Sequence, residues 1–205
     1  IAPTITSAAS SSIAENAATS TVAYAIAATD PESDALSYTV TGIDAASFST
    51  DTAGAVRLLS PANFEAKSSY SLTVNASDAS HTTSKAVTLT VSDVNEAPVF
   101  SSAASASVAE NTATSTVVYT AAATDPESNT LTYALTGTDA ASFSIDATTG
   151  QVKLLTPADF ETKASYSVTA NAMDATHTTT QAVTINASNV NEAPTAANFT
   201  STRSE

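Results

Sequence analysis

Carboxylates and side-chain amides recur along this chain in one order, twice over. Glu15, Asp30, Glu32, Asn63, Glu65, Asp78, Asp93, Asn95 and Glu96 are followed by Glu110, Asp125, Glu127, Asp159, Glu161, Asp174, Asn189, Asn191 and Glu192, each 95 or 96 positions later. Such oxygen donors suit a hard cation that accepts carboxylates, amides and carbonyls in loose geometry. Zinc is a poor fit, because His81 and His177 have no cysteine or second histidine near them. No nucleophilic triad, phosphate loop or cleft signature is present, so the chain is not expected to be an enzyme. The runs Asp93-Val94-Asn95-Glu96-Ala97-Pro98 and Asn189-Val190-Asn191-Glu192-Ala193-Pro194 stand where one copy gives way to the next. The cation chemistry therefore belongs to the junctions.

The elements that must carry these residues are strands. Apolar residues alternate with small ones at Val22-Tyr24-Ile26, Leu36-Tyr38-Val40, Tyr70-Leu72-Val74 and Val87-Leu89-Val91, and again at Leu131-Tyr133-Leu135 and Val183-Ile185-Ala187. That period of two predicts half-buried strands, and no stretch of 12 residues keeps a helical apolar stripe. About seven short strands per copy, broken by Asp-Pro, Thr-Gly and Ser/Thr/Asn clusters, predict an all-β chain of antiparallel Greek-key sandwiches with immunoglobulin-like architecture. A period near 95 residues exceeds that of a solenoid and matches a domain with its own core. The Ala-Pro pairs at 2–3, 97–98 and 193–194 set the boundaries: one domain over 1–98, a second over 99–194, and the start of a further copy over 195–205. The expectation is a piece of a longer array.

Twenty acids against six bases give a net charge of −14. That excludes nucleic acid and anionic membrane surfaces as partners, since both need clustered Lys and Arg. An apolar content of 42% is enough for a core in each copy despite the Ala/Ser/Thr bias. There is no cysteine, so no disulfide supports either domain, and there is no signal peptide or long apolar run.

Five signatures stand in order in each copy. The first reads Ala14-Glu15-Asn16, Asp30-Pro31-Glu32, Asn63-Phe64-Glu65, Ala76-Ser77-Asp78 and Asp93 to Pro98; the second reads Ala109-Glu110-Asn111, Asp125-Pro126-Glu127, Asp159-Phe160-Glu161, Met173-Asp174 and Asn189 to Pro194. In that order and at those spacings the chain resembles the cadherin repeat over nearly all of both copies. The Asp-Pro-Glu-Ser and Asn-Glu-Ala-Pro wording is similar to cadherin-like repeats of large bacterial surface proteins.

The resemblance implies Ca²⁺ at each junction, held by the loops of two successive domains and the linker. Carried over position by position, the central junction takes Glu15, Asn63 and Glu65, then Asp93, Asn95 and Glu96, then Asp125, Glu127 and Asp174. Asp30, Glu32 and Asp78 make an N-terminal partial site, and Glu110, Asp159, Glu161, Asn191 and Glu192 a C-terminal one; Asp34 and Asn129 are further loop candidates. Two unit charges about 4 Å apart repel by about 4 kcal/mol at an effective dielectric near 20, so converging carboxylates need counter-charge. Three positions depart from the family pattern: Asn63 replaces Asp, Glu96 replaces Asp, and Ala97 replaces Asn.

Two function classes follow. The first is a calcium-rigidified extracellular spacer or adhesion segment of a large bacterial surface protein, with calcium ions and neighbouring repeats as its partners. The alternative is a module recognising polysaccharide or a like repeat on another cell. Sugar platforms need exposed Trp or Tyr; Trp is absent, and the six Tyr fall mostly on core-facing strand positions. Asn75, Asn186 and Asn198 head glycosylation tripeptides, and Thr88, Thr90 and Thr178–Thr180 line strands expected to face solvent.

Overall fold

The computed structural model describes residues 1–193, so the further copy expected over 195–205, with Asn198, lies outside the described residues. The chain divides into two units, Ile1–Asn95 and a second beginning at Glu96. Each is an all-β sandwich.

In the first unit the spine is β8 (Ser69–Ser77) against β9 (Thr82–Ser92), the two longest strands. Tyr70, Leu72, Val74 and Ala76 of β8 and Val87, Leu89 and Val91 of β9 point one way, and Ser, Thr and Asn point the other. The alternation read from sequence thus becomes an apolar inner face and a hydroxyl outer face. β2 (Ser10–Ala14) and β5 (Ser37–Thr41) flank this pair in a sheet of order β2-β9-β8-β5. The facing sheet has β7 (Ala55–Leu58) between β3 (Tyr24–Ala25) and β6 (Phe48–Thr50), and β1 (Thr4–Ile5) pairs with β4 (Ala28–Thr29). The nine segments are seven strands if β1 and β2 count as one edge strand that changes sheets, and β3 and β4 as one strand interrupted at Ile26–Ala27.

Between the sheets lie Ile13, Tyr24, Ile26, Phe48, Val56, Leu58, Leu72, Val74, Val87, Leu89 and Val91. Fully burying a side chain of this size stabilises by ~1.5–3 kcal/mol, so the unit has the means to fold alone. Tyr70 meets Phe48 edge-on, with ring centres 5.2 Å apart.

The second unit repeats the plan. One sheet has the order β11 (Ser105–Ala109), β18 (Thr178–Ser188), β17 (Ser165–Met173), β14 (Thr132–Thr136). The other has β12 (Val117–Thr120), β16 (Gln151–Leu154), β15 (Phe143–Ile145), and β10 (Val99–Phe100) pairs with β13 (Ala123–Thr124). The short turns Ala45–Ser47 and Ala140–Ser142 are the 3₁₀ segments, and no α-helix occurs among the described residues.

Three features differ from the sequence reading. The pairs β2·β9 and β11·β18 are parallel, not antiparallel. In a seven-strand sandwich the first and last strands run the same way, so an edge strand that crosses to lie beside the last one must pair with it in parallel. Val22, read as core-facing, is exposed, and so is Val117 at the same place in the second unit. The register slips between Val117 and Tyr119, a bulge that turns the preceding valine outward; in the first unit Ala23 and Tyr24 are buried consecutively and Val22 points out. Asn75, in a glycosylation tripeptide, is only 9% exposed: its amide donates to Thr39 and Thr41, and its oxygen accepts from Ser84. A glycan cannot reach it, whereas Asn186 is exposed on β18.

Candidate metal centre

Glu15 follows directly on β2, and Asn16 after it has φ 55°, a left-handed conformation that asparagine tolerates and that turns the chain out of the strand. The turn leaves Glu15 only 3% exposed. Its Oε2 accepts the N–H of Phe64 and its Oε1 the N–H of Val94, both at 2.8 Å. One carboxylate therefore ties together the loop Asn63-Phe64-Glu65 and the segment that leaves β9. Carboxylate oxygens of Glu15, Glu65 and Asp93 lie within 4.8 Å of one another. Asn63 shares that loop, and its side-chain oxygen accepts the Ala66 N–H at 2.6 Å. Asn95 is half-buried.

The second unit builds the same end. Glu110, 3% exposed, accepts from Phe160 and Val190, and these backbone N–H groups hold its carboxyl below the usual glutamate range. Here the trio within 4.8 Å is Glu110, Asp159 and Glu161. Asp159 is held low by the Thr162 N–H. Glu161 goes the other way: its own N–H pulls it down, but desolvation and the charge of Glu110 together outweigh that and raise it. A neighbouring carboxylate disfavours the charged form, and a cation bound between the two would relieve that repulsion. Glu192 accepts from Asn111, and Asn191 is exposed.

At the opposite end of the first unit the loop after β4 gathers Asp30, Glu32 and Asp34, again within 4.8 Å. Asp30 Oδ1 accepts the N–H groups of Glu32 and Asp34, which shapes the loop, and Ser33 takes φ 62°. Asp78 is not in that trio; its Oδ1 accepts from Ser80 and His81 in the β8–β9 turn, and both N–H groups hold it below the aspartate range. His81 lies 3.4 Å from Asp78, as His177 lies 3.5 Å from Asp174.

In the second unit Asp125 Oδ1 accepts the Asn129 N–H, while Glu127 accepts the Glu96 N–H at 3.2 Å. Hydrogen bonding to the Glu96 carboxyl group keeps Glu127 below the glutamate range. Asp174 accepts from Thr176 and His177 in the β17–β18 turn.

The donor set fits calcium. Asp30 Oδ2, Asp125 Oδ2 and Glu127 Oε1 are buried atoms with no hydrogen-bond partner. A carboxylate oxygen withdrawn from water and given no donor is costly, and an oxygen-coordinating cation satisfies it. The C-terminal partial site read from sequence leaves out Asn189, whose amide donates to Glu161 at 2.6 Å; its place opposite Asp93 in the repeat was the available signal. It leaves out Asn111 as well.

Residues 104–188 match the cadherin domain family. That match lies within the second unit. Human Cadherin-23 is 33% identical over 154 residues, 72% of this chain and 5% of its own length, and rat Cadherin-17 is 43% identical over 81 residues, 39% of this chain and 10% of its own. The chain thus spans a tenth or less of these curated relatives. Among solved structures, human Protocadherin-24 EC1-2 is matched over 94% of this chain and all of its own, with TM-score 0.69 and 24% identity. Drosophila N-cadherin EC1-4 is matched over 92% and 50%, with TM-score 0.66 and 23% identity. The fold is that of tandem cadherin domains. Cadherin domains are extracellular, adhesion-type modules that in general bind calcium. No helix among the described residues is long and apolar enough to cross a membrane.

Proposed function

We propose that this chain is a calcium-rigidified spacer segment of a large, bacterial, extracellular surface adhesin, formed by cadherin repeats over 1–98 and 99–194. The carrying observation is that one oxygen-only arrangement forms twice, as Glu15, Glu65 and Asp93 and as Glu110, Asp159 and Glu161, each around a glutamate buried by its own backbone bonds. Calcium at the junction supplies charge that neutralises the converging carboxylates. The first unit and linker contribute Glu15, Asn63, Glu65, Asp93, Asn95 and Glu96, and the second unit Asp125, Glu127 and Asp174. Asp30, Glu32 and Asp78, and likewise Glu110, Asp159, Glu161, Asn191 and Glu192, are parts of neighbouring sites in an array.

The polysaccharide-binding alternative lacks support, since none of the six tyrosines is exposed and there is no tryptophan. Calcium titration by calorimetry tests the binding, and small-angle scattering in calcium and in chelator tests the stiffening. Binding with a changed scattering profile is expected. No heat of binding, or identical profiles, overturns the reading.

A further inference from the structure

The two trios are not built from equivalent residues. Glu110 repeats Glu15 and Glu161 repeats Glu65, but the third carboxylate is Asp93 in the first unit and Asp159 in the second. The equivalent of Asp93 is Asn189, and the equivalent of Asp159 is Asn63. Across these four positions each unit therefore keeps three carboxylates and one amide, with acid and amide exchanged between loop and linker. Both amides stand in the cluster's surroundings: Asn63 is two residues before Glu65, and Asn189 donates to Glu161.

We propose that the loop position (63 or 159) and the linker position (93 or 189) form a compensating pair in which either can supply the third carboxylate, so that the charge at this end of a unit, not its placement, sets cation affinity. This rests on the calcium reading above. The physical ground is that calcium takes oxygens from flexible loops in loose geometry, so a carboxylate a few ångströms away still neutralises it. Without a cation, a fourth carboxylate adds repulsion within the cluster and a second amide removes some of it. Asp159 also shows that an acid at the loop position keeps the local turn: its Oδ1 accepts the Thr162 N–H just as Asn63 accepts that of Ala66.

The test is a set of isosteric exchanges in the full chain: Asp93→Asn, Asn63→Asp, and the two together. Calcium calorimetry should show Asp93→Asn weakening the tight phase by about tenfold or more, and the double variant returning to within about threefold of wild type. In chelator, the melting temperature of the first unit should rise for Asp93→Asn, fall for Asn63→Asp, and be unchanged in the double variant. A double variant as weak as Asp93→Asn, in a wild type that binds calcium, overturns the compensation and leaves the calcium reading standing. A wild type that binds no calcium removes both.

Discussion

Glu15 and Val94 are 79 positions apart, and Oε1 of the one accepts the backbone N–H of the other at 2.8 Å. The second oxygen of the same carboxylate holds Phe64, so a buried acid fixes a loop and the exit from β9 together. Glu110 does this for Val190 and Phe160. The glutamate is thus structural before any cation is considered, and it places the neighbouring acids within reach of one another.

Glu15→Ala should destabilise the first unit even in chelator. It leaves two N–H groups without their acceptor, at about 1–3 kcal/mol for each that stays dry. Glu15→Gln keeps an oxygen for one of them and should cost less. Urea unfolding in chelator measures both, and equal stability of the three proteins would contradict the clamp.

Each unit has its own core, so damage to one should leave the other intact. Leu89 and Ile185 are fully buried, and truncating either to alanine should cost about 2–5 kcal/mol. Calorimetric unfolding of Leu89→Ala in chelator should separate into two transitions, the lower belonging to the first unit. Ile185→Ala should lower the second unit's transition instead.

Asp44 braces the first unit: Oδ1 meets Lys67 at 2.7 Å and Oδ2 accepts the Ser71 N–H at 2.7 Å, while Lys67 lies over the Tyr70 ring. Asp139, Lys163, Ser167 and Tyr166 repeat this. The Lys67 ammonium first, and then the Ser71 N–H, hold the Asp44 carboxyl below its ordinary value. A depressed folded pKa means stability that is fully present above the unfolded value and is lost as pH falls through the folded one. In chelator, the advantage of wild type over Asp44→Asn should therefore be constant near neutrality and shrink as pH drops below about 4. An advantage that grew on acidification would have the wrong sign.

Calcium removal should lower the melting temperature without abolishing the β circular-dichroism signal. Binding to the folded state alone stabilises by mass action, about 2.7 kcal/mol when free calcium is a hundred times the dissociation constant. The apolar cores do not depend on it. Loss of the β signal on adding chelator would show that the cores are insufficient.

The sequence by itself determined the period of the repeat, the alternation that makes Val87, Leu89 and Val91 one inner face, and the order in which the acids occur. These are local: side-chain direction along a strand alternates within a few residues, and turns are set by neighbours such as Asp30 accepting from Glu32. Tertiary structure alone decided that Glu15 bonds Phe64 and Val94, that β2 runs parallel to β9, that Val22 faces out, and that Asp93 lies beside Glu15 and Glu65 while Asp159 lies beside Glu110 and Glu161. Those relationships join residues separated by tens of positions, and they depend on how strands register and where a bulge shifts them. A one-residue shift reverses which face a side chain occupies, so composition and spacing could name the oxygens but not which of them meet.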